Sequence, residues 1–299
     1  MYRSFAEDSI VIFFKYNILF FMSIVTLTTD FGLKAHFVGA VKGALLCEIP
    51  NANIVDISHN ISPFSVIEAA YVIQNAFNSF PKGSIHIIGV DSELNPENTH
   101  IAMSLNGHYF VCANNGILSM ICTEMKADRI VEINIHDKVL GSFPVLDVFV
   151  KVAAHISRGG KLEVIGKTIV NIKPIKNISP FISAENHQLI GHVIYIDRYD
   201  NLVTNIKKPF FESIQKNRRY EIMARNNKFT KIYQRYSDIV NFKTPIHNRN
   251  DEGRGMAVFN SSDYLEIAMY KSNKATVGGA STLMGLEMMD SITIQFFDD

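Results

Sequence analysis

The chain has 299 residues, of which 47% are hydrophobic and 19% are charged, so it is long enough and apolar enough for two folded domains. Its 29 Lys and Arg residues balance its 29 Asp and Glu residues. A neutral chain has no overall electrostatic attraction to nucleic acid or to an anionic membrane surface, and we predict neither as a partner.

The cysteines and histidines do not indicate a metal site. Cys47, Cys112 and Cys122 lie far apart among apolar neighbours, and no two of them form a Cys-x-x-Cys pair. The histidines do not occur at metal-ligand spacing with carboxylates. We therefore predict no metal, no cofactor and no disulfide framework, which favours a reducing compartment, the cytoplasm.

The first 21 residues differ from the rest of the chain. Their apolar stretches are interrupted by Lys15 and Asn17, and acidic Glu7 and Asp8 precede them. A signal peptide needs a basic start and an unbroken apolar stretch, and a membrane span needs about 20 apolar residues. We expect residues 1–21 to be a loose tail or a mis-assigned start rather than an anchor.

From Ile24 onward, strand and helix patterns alternate. Strands are predicted at 24–28, 53–56 and 85–90, a hairpin at 101–113, and helices at 36–49, 65–80 and 145–157. Asn106-Gly107 marks the hairpin turn. This order predicts an α/β N-terminal domain over residues 22–170, with a largely parallel sheet flanked by helices.

The pattern changes after Val170. Residues 171–190 contain two prolines and many polar residues, which predicts a linker. Short β-rich runs separated by turn residues follow at 191–196, 202–204, 256–259, 265–269 and 291–296. They predict a smaller C-terminal antiparallel β-barrel domain over residues 191–299.

Two acidic residues follow predicted strands of the first domain. Ligands in open α/β sheets bind beyond the carboxyl ends of the strands, and a carboxylate at Asp30 there can accept hydrogen bonds from a ribose diol. Asp30 is equally typical of a turn or helix cap. Asp91 ends the most hydrophobic strand, where a carboxylate is costly unless it is paired or does chemistry. His100 either acts with Asp91 or is simply exposed.

Two polar segments of the second domain are candidates for binding. In the segment 196–202, Tyr199 offers a ring for stacking, and Asn201 offers one amide donor and one acceptor for a base edge. The same segment is equally typical of an Asp- and Asn-rich hairpin turn. Asn260-Ser261-Ser262 is a compact polar turn that indicates no function by itself.

Together, eight segments resemble the S-adenosylmethionine (SAM) hydroxide adenosyltransferases, a family of SAM hydrolases related to chlorinase and fluorinase. The segments are 24–32, 54–59, 80–83, 90–91, 106–111, 115–119, 195–205 and 260–268. The resemblance spans about residues 23–297 and keeps the family's order. It implies an α/β domain followed by a β-barrel domain, SAM or adenosine as ligand, and a homotrimer with sites between subunits.

The resemblance also implies roles for six side chains in nucleoside and methionine binding. Asp30 binds the ribose, Phe64 places a ring against it, Tyr199 stacks on adenine, Asn201 reads adenine, and Asp197 and Ser261 hold the methionine amino acid.

The water-activating residues of the family are only partly present. The resemblance implies an Asp, an Arg seven residues later and a His, and Asp91 matches the first of these as a catalytic residue. Asn98 stands at the Arg position and Pro144 at the His position. Two functions follow: a SAM hydrolase that forms adenosine and L-methionine with its catalytic Arg and His lost, or a non-catalytic adenosine- or SAM-binding protein on the same scaffold.

Overall fold

A computed structural model describes residues 23–136, 142–175, 179–183 and 185–298, except for two side chains, those of Thr123 and Glu124. The predicted tail, residues 1–21, lies outside them. The chain divides into two compact units. Unit 1 contains the residues up to Ser65, Ala76–Asn115 and Cys122–Ile172, and unit 2 contains Val66–Asn75, Gly116–Ile121 and the residues from Lys173 onward.

Unit 1 is built on a seven-stranded sheet in the order β2-β1-β3-β5-β4-β6-β7. Its strands are β1 (Ile24–Thr29), β2 (Asn53–Ser58), β3 (Ile85–Gly89), β4 (His100–Leu105), β5 (His108–Ala113), β6 (Arg129–Ile133) and β7 (Gly166–Thr168). The pairs β1/β2, β1/β3 and β3/β5 are parallel, whereas β4, β6 and β7 join in antiparallel pairs. The predicted α/β fold is confirmed. The parallel pairs involve β1, β2, β3 and β5.

Among the described residues before Lys173, four α-helices occur. They are α1 (Phe37–Glu48), α2 (Val66–Ala76), α3 (Ser119–Glu124) and α4 (Val150–Ser157), the last preceded by a π-helical turn at Val145–Phe149. In α1, Val38, Val41 and Leu45 are buried at the spacing of one helix face. Val41 and Leu45 join a core that includes Val25, Leu27 and residues of α4.

Unit 2 carries a nine-stranded sheet that forms a barrel-like C-terminal domain. Its strands are β8 (Phe181–Ile182), β9 (Gln188–Ile196), β10 (Leu202–Lys207), β11 (Arg219–Ala224), β12 (Asn227–Phe229), β13 (Ile232–Tyr233), β14 (Gly255–Phe259), β15 (Tyr264–Met269) and β16 (Ser291–Phe297). Every pair is antiparallel except β13/β14. The strand predicted from Gly191 begins at Gln188, and the predicted β-barrel class is confirmed.

Two further helices lie in unit 2, α5 (Lys208–Gln215) and α6 (Ala280–Met284). Helix α5 has Pro209 in its first turn, where the missing N–H costs nothing, and it buries Phe211 and Ile214. Among the described residues, no helix combines the length and apolar character needed to cross a membrane.

Close packing at Gly89 gives a test of the unit 1 core. A Cβ at Gly89 would lie 2.8 Å from Val145 Cγ2 and 3.1 Å from Phe31 Cζ. Gly89→Ala should therefore lower the free energy of unfolding by about 1–3 kcal/mol, the usual cost of overpacking, in urea denaturation. Gly43→Ala is the control, because no heavy atom outside the helix's own backbone lies within 4 Å of a Cβ there. Equal effects of the two substitutions would contradict this packing.

Candidate functional site

Asp30 lies at the edge of the unit 1 sheet where β1 and β3 both end. Its backbone N–H donates to the carbonyl of Gly89 over 3.4 Å, and its Oδ2 accepts the N–H of Phe64 over 3.0 Å. Because β1 and β3 are parallel neighbours, their carboxyl ends meet at this edge. Asp91 follows Gly89 by two residues, so Asp30, Phe64 and the backbone of Asp91 are assembled in one region.

Phe64 presents an aromatic ring beside Asp30. Its backbone has a φ of 62°, in the left-handed region that is uncommon for residues with a Cβ. This conformation accompanies the hydrogen bond from its N–H to Asp30, and the residue remains 73% exposed. The ring is therefore accessible to a ligand that lies beside the Asp30 carboxylate.

A series of polar side-chain contacts links Thr29, which precedes Asp30, to β2. Thr29 Oγ1 lies 2.8 Å from His59 Nδ1, and His59 Nε2 lies 3.0 Å from Asp56 Oδ1. Asp56 Oδ2 in turn pairs with Lys42 Nζ at 2.6 Å. Burial opposes the ionisation of Asp56, but the hydrogen bonds from Lys42 and His59 outweigh it and hold the pKa of this carboxyl below its ordinary value.

The loop that contains Pro144 packs against the same edge. The ring of Phe143 makes edge contacts with Phe31 and Phe37, each with ring centroids 5.4 Å apart. Asp147 Oδ2 accepts the backbone N–H of Phe143 over 3.1 Å and so fixes the start of the helix. Pro144, at the position where the resemblance implies a catalytic His, has no side-chain group that can accept a proton.

Asp91 is half-buried and adopts a φ of 45°. Within the described part of the chain, its carboxylate has no hydrogen-bond partner. His100 is buried rather than exposed. Its Nε2 lies 3.0 Å from the carbonyl of Ser92 and its Nδ1 lies 2.9 Å from His136 Nε2. Burial lowers the pKa of His100 to about 4, so at neutral pH the ring is uncharged and engaged on both sides.

In unit 2, the turn between β9 and β10 brings Asp197, Tyr199 and Asn201 together. Asp197 accepts the backbone N–H of Asn201 at Oδ1 over 2.8 Å and its side-chain amide at Oδ2 over 3.1 Å. Burial raises the pKa of Asp197 despite these hydrogen bonds. Tyr199 is 69% exposed, so its ring is free to stack on a planar ligand.

Asp200 anchors this turn, a role that sequence reasoning missed. Its buried Oδ2 accepts the N–H groups of Gly279 (3.0 Å) and Thr282 (2.9 Å), and its Oδ1 pairs with Lys274 at 3.0 Å. Burial alone would raise the pKa of Asp200, but the bonds from Thr282, Lys274 and Gly279 lower it to about 2. The turn that carries Tyr199 is therefore fastened to the segment before α6.

Ser261 lies in the exposed turn between β14 and β15. Leu202 pairs with Ile267, so Asn201 lies near the C-terminal end of β15, whereas Ser261 precedes its N-terminal end. A ligand that contacts both turns must therefore run along β15.

Glu266 of β15 is a buried carboxyl of unit 2 that lies within the electrostatic influence of Asp197. Glu266 is 3% exposed and accepts hydrogen bonds from the Tyr236 hydroxyl at 2.7 Å and the Asn260 amide at 3.3 Å. Burial raises the pKa of Glu266, and the negative charge of Asp197 adds to the shift. Two carboxyls that disfavour each other's charge suit a cationic ligand. Among the described residues, no group of three His, Cys, Asp or Glu side chains is arranged to hold a metal ion.

Comparison with known proteins decides the family. Sequence models for the N-terminal and C-terminal domains of SAM hydroxide adenosyltransferase match residues 25–166 and 191–293. The chain belongs to this family. It is 29% identical over 284 residues to an (R)-S-adenosyl-L-methionine hydrolase from Methanocaldococcus jannaschii, covering 91% of this chain and 96% of that protein. It is 24% identical over 221 residues to a fluorinase from Nocardia brasiliensis, covering 64% and 73%.

Solved structures agree on the fold of this SAM hydroxide adenosyltransferase family member. A conserved protein from Thermotoga maritima aligns with a TM-score of 0.75 and 27% identity, over 91% of this chain and 99% of that one. A protein from Thermus thermophilus aligns with a TM-score of 0.67 at 20% identity, over 92% and 100%, and shares the fold.

Asp200 provides a test of how the Tyr199 turn of unit 2 is held. A folded-state pKa below the unfolded value gives stability that is present above about pH 4 and lost as the pH falls towards about 2. Asp200→Asn should cost about 1.5–3 kcal/mol at neutral pH, measured by urea denaturation, because a buried charged acceptor is lost. It should also flatten the stability profile between pH 4 and 2.

Asp263→Asn is the matched control for Asp200→Asn, because Asp263 makes the same change of charge at an exposed position. If Asp200→Asn is as stable as this control at neutral pH and shows the same loss of stability between pH 4 and 2, Asp200 does not anchor the turn.

Proposed function

We propose that this protein hydrolyses SAM to adenosine and L-methionine at the sheet edge where Asp30 and Asp91 lie. The observation that carries the proposal is the pair of bonds made by Asp30, one to Phe64 and one to Gly89. These bonds join a carboxylate that can accept hydrogen bonds from ribose hydroxyls to the exposed Phe64 and to the strand that precedes Asp91. The similarity to named SAM hydrolases over 91% of the chain supports the same reaction.

The reaction requires little acid catalysis. A water oxygen attacks the ribose C5′, the C5′–S bond breaks, its electron pair goes to sulfur, and the water's proton passes to solvent. The sulfonium leaves as a neutral thioether, so no side chain needs to protonate it. The site must hold water in line with the bond, about 3–3.5 Å from the carbon, and keep bulk water away.

Asp91 is the residue we assign to the nucleophilic water. Its carboxylate has no partner among the described residues, so it can accept a hydrogen bond from that water. Asn98 and Pro144 add neither a cation nor an imidazole. General-base assistance is worth about 10² to 10⁴ in rate, so hydrolysis should be slower than in relatives with the complete set by a factor of that order.

The binding roles follow the same proposal. Asp30 binds the ribose diol, and Phe64 packs against the sugar. Tyr199 stacks on adenine. Asn201 donates one amide hydrogen to Asp197 and has a second hydrogen and its oxygen to pair with the adenine edge.

Asp197 and Ser261 are the residues we assign to the methionine amino acid. The substrate's ammonium would offset the charge of Asp197, whose pKa burial and Asp200 both raise. Glu266 lies within the same electrostatic field and would favour the same cation.

A non-catalytic protein that binds adenosine or SAM is the second candidate. The observation that favours it is that none of three residues, His100, Asn98 and Pro144, offers a free base or a cation to assist Asp91. His100 is neutral and bonded on both sides, Asn98 carries no charge, and Pro144 carries no proton acceptor. Adenosine and methionine appear on prolonged incubation with SAM under the first candidate alone.

We also propose a cytoplasmic homotrimer with its sites between subunits, as the resemblance implies. Light scattering at micromolar concentration should give three times the 33.7-kDa mass of the chain. A monomer that still binds adenosine through Asn201 would overturn the shared site.

Asp30 and Asp91 should separate binding from chemistry. Asp30→Ala should weaken adenosine binding in calorimetry by about one to two decades, because a charged acceptor is lost. Asp91→Asn should leave adenosine affinity nearly unchanged and lower the rate of adenosine release. Glu93→Gln, an exposed carboxylate on the same loop, is the control. Unchanged adenosine affinity in Asp30→Ala would remove Asp30 from the site.

A further inference from the structure

Side chains hold four consecutive backbone carbonyls in the Asp91 loop, which we define as residues 90–99 between β3 and β4. Asn115 Nδ2 donates to the carbonyls of Val90 (3.0 Å) and Asp91 (3.2 Å), Asn98 Nδ2 donates to those of Asp91 (2.8 Å) and Glu93 (3.0 Å), and His100 Nε2 lies 3.0 Å from that of Ser92. The first half of the loop therefore takes its shape from side chains, and one isolated backbone bridge joins Asn95 to Asn98.

Asn98 closes the loop from within. It is 6% exposed, and its backbone N–H donates to the carbonyl of Asn95 over 3.0 Å. Its amide nitrogen bridges the carbonyls of Asp91 and Glu93, while its buried Oδ1 has no hydrogen-bond partner among the described residues. The amide nitrogen of Asn98 is thus used in hydrogen bonds to the loop backbone.

These bonds bear directly on Asp91. A φ of 45° is unfavourable for a residue with a Cβ, so the surroundings must hold this backbone in place. The Asp91 carbonyl accepts hydrogen bonds from both Asn98 and Asn115, which fix the peptide that follows the strained residue. Its carboxylate is not used by any of these bonds.

We propose that Asn98 is a positioning residue for Asp91, in the place where the resemblance implies a catalytic Arg. It holds the Asp91 backbone so that the carboxylate meets the attacking water in one orientation. This inference rests on the proposed hydrolysis. It also means that Asn98→Arg lowers turnover rather than restoring it, because the longer guanidinium side chain does not fit the buried position from which the amide donates to both carbonyls.

Asn98→Asp tests the proposal with the smallest change of shape. The substitution replaces the donating amide with a carboxylate and so removes both bonds to the loop carbonyls. Asn95→Asp is the control, because it adds the same charge to the same loop at an exposed position. Asn95 acts there through Oδ1, which accepts the N–H of Glu97 over 2.9 Å and is retained in Asp.

Three measurements follow for each variant: kcat and KM for adenosine release from SAM, adenosine affinity by calorimetry, and hydrogen exchange of loop amides. Asn98→Asp should lower kcat about tenfold or more, since two buried hydrogen bonds are lost, with KM and adenosine affinity nearly unchanged. The amides of Asn95 and Asn98 should exchange faster. Asn95→Asp should resemble the wild type in all three.

A second variant protects the test against misfolding. Asn115→Asp removes the donors to Val90 and Asp91 and should shift kcat and exchange in the same direction. A positioning role is overturned if Asn98→Asp behaves like Asn95→Asp, if it loses adenosine affinity together with kcat, or if Asn98→Arg raises turnover.

Failure of the proposed function gives a different pattern. If the wild type releases no adenosine, hydrolysis is wrong and hydrogen exchange alone decides the role of Asn98. If the loop amides then exchange faster in Asn98→Asp than in Asn95→Asp, Asn98 holds the Asp91 backbone. Equal exchange in the two variants would overturn that role.

Discussion

The parallel pairing of β1 with β3 is the constraint on which the unit 1 site depends. The two strands run in register from Val25 opposite Ile85 to Thr29 opposite Gly89, and both are almost entirely buried. Their common end places Asp30 beside the start of the Asp91 loop. Gly89 has no side chain, which leaves room at this edge for the ring of Phe31 and for Val145, the residue that follows Pro144. The binding and chemistry that we propose for Asp30 and Asp91 therefore both depend on one buried pair of strands.

The proposed site separates into a binding part, where the resemblance implies the residues that are present, and a water-holding part, where the implied Arg and His are replaced by Asn98 and Pro144. The binding part is held by backbone bonds and buried anchors such as Asp200, which fastens the Tyr199 turn. In the proposed water-holding part, the side-chain amide of Asn98 stands where the resemblance implies an Arg. An amide can fix a backbone but cannot deprotonate water, because it titrates nowhere near neutral pH. The slow hydrolysis that we propose follows from this division.

Sequence reasoning found the elements whose own pattern specifies them. The apolar runs of β1 and β3, the Asn106-Gly107 turn and the spacing of α1 all depend on neighbours in sequence. It missed β11, which alternates charged and apolar residues at Arg219–Ala224, and β7, which has three residues. The burial of His100 and the anchoring by Asp200 depend on partners 36 and about 80 residues away, so no local pattern reports them.

The most direct test of the account is product analysis after prolonged incubation with SAM in ¹⁸O-labelled water. Attack of water at C5′ predicts adenosine with one ¹⁸O at its 5′ oxygen, methionine without label, and slower formation of both products in Asp91→Asn. Mass spectrometry distinguishes these species. The absence of adenosine above the uncatalysed background, or adenosine formed equally by Asp91→Asn, would contradict hydrolysis centred on Asp91.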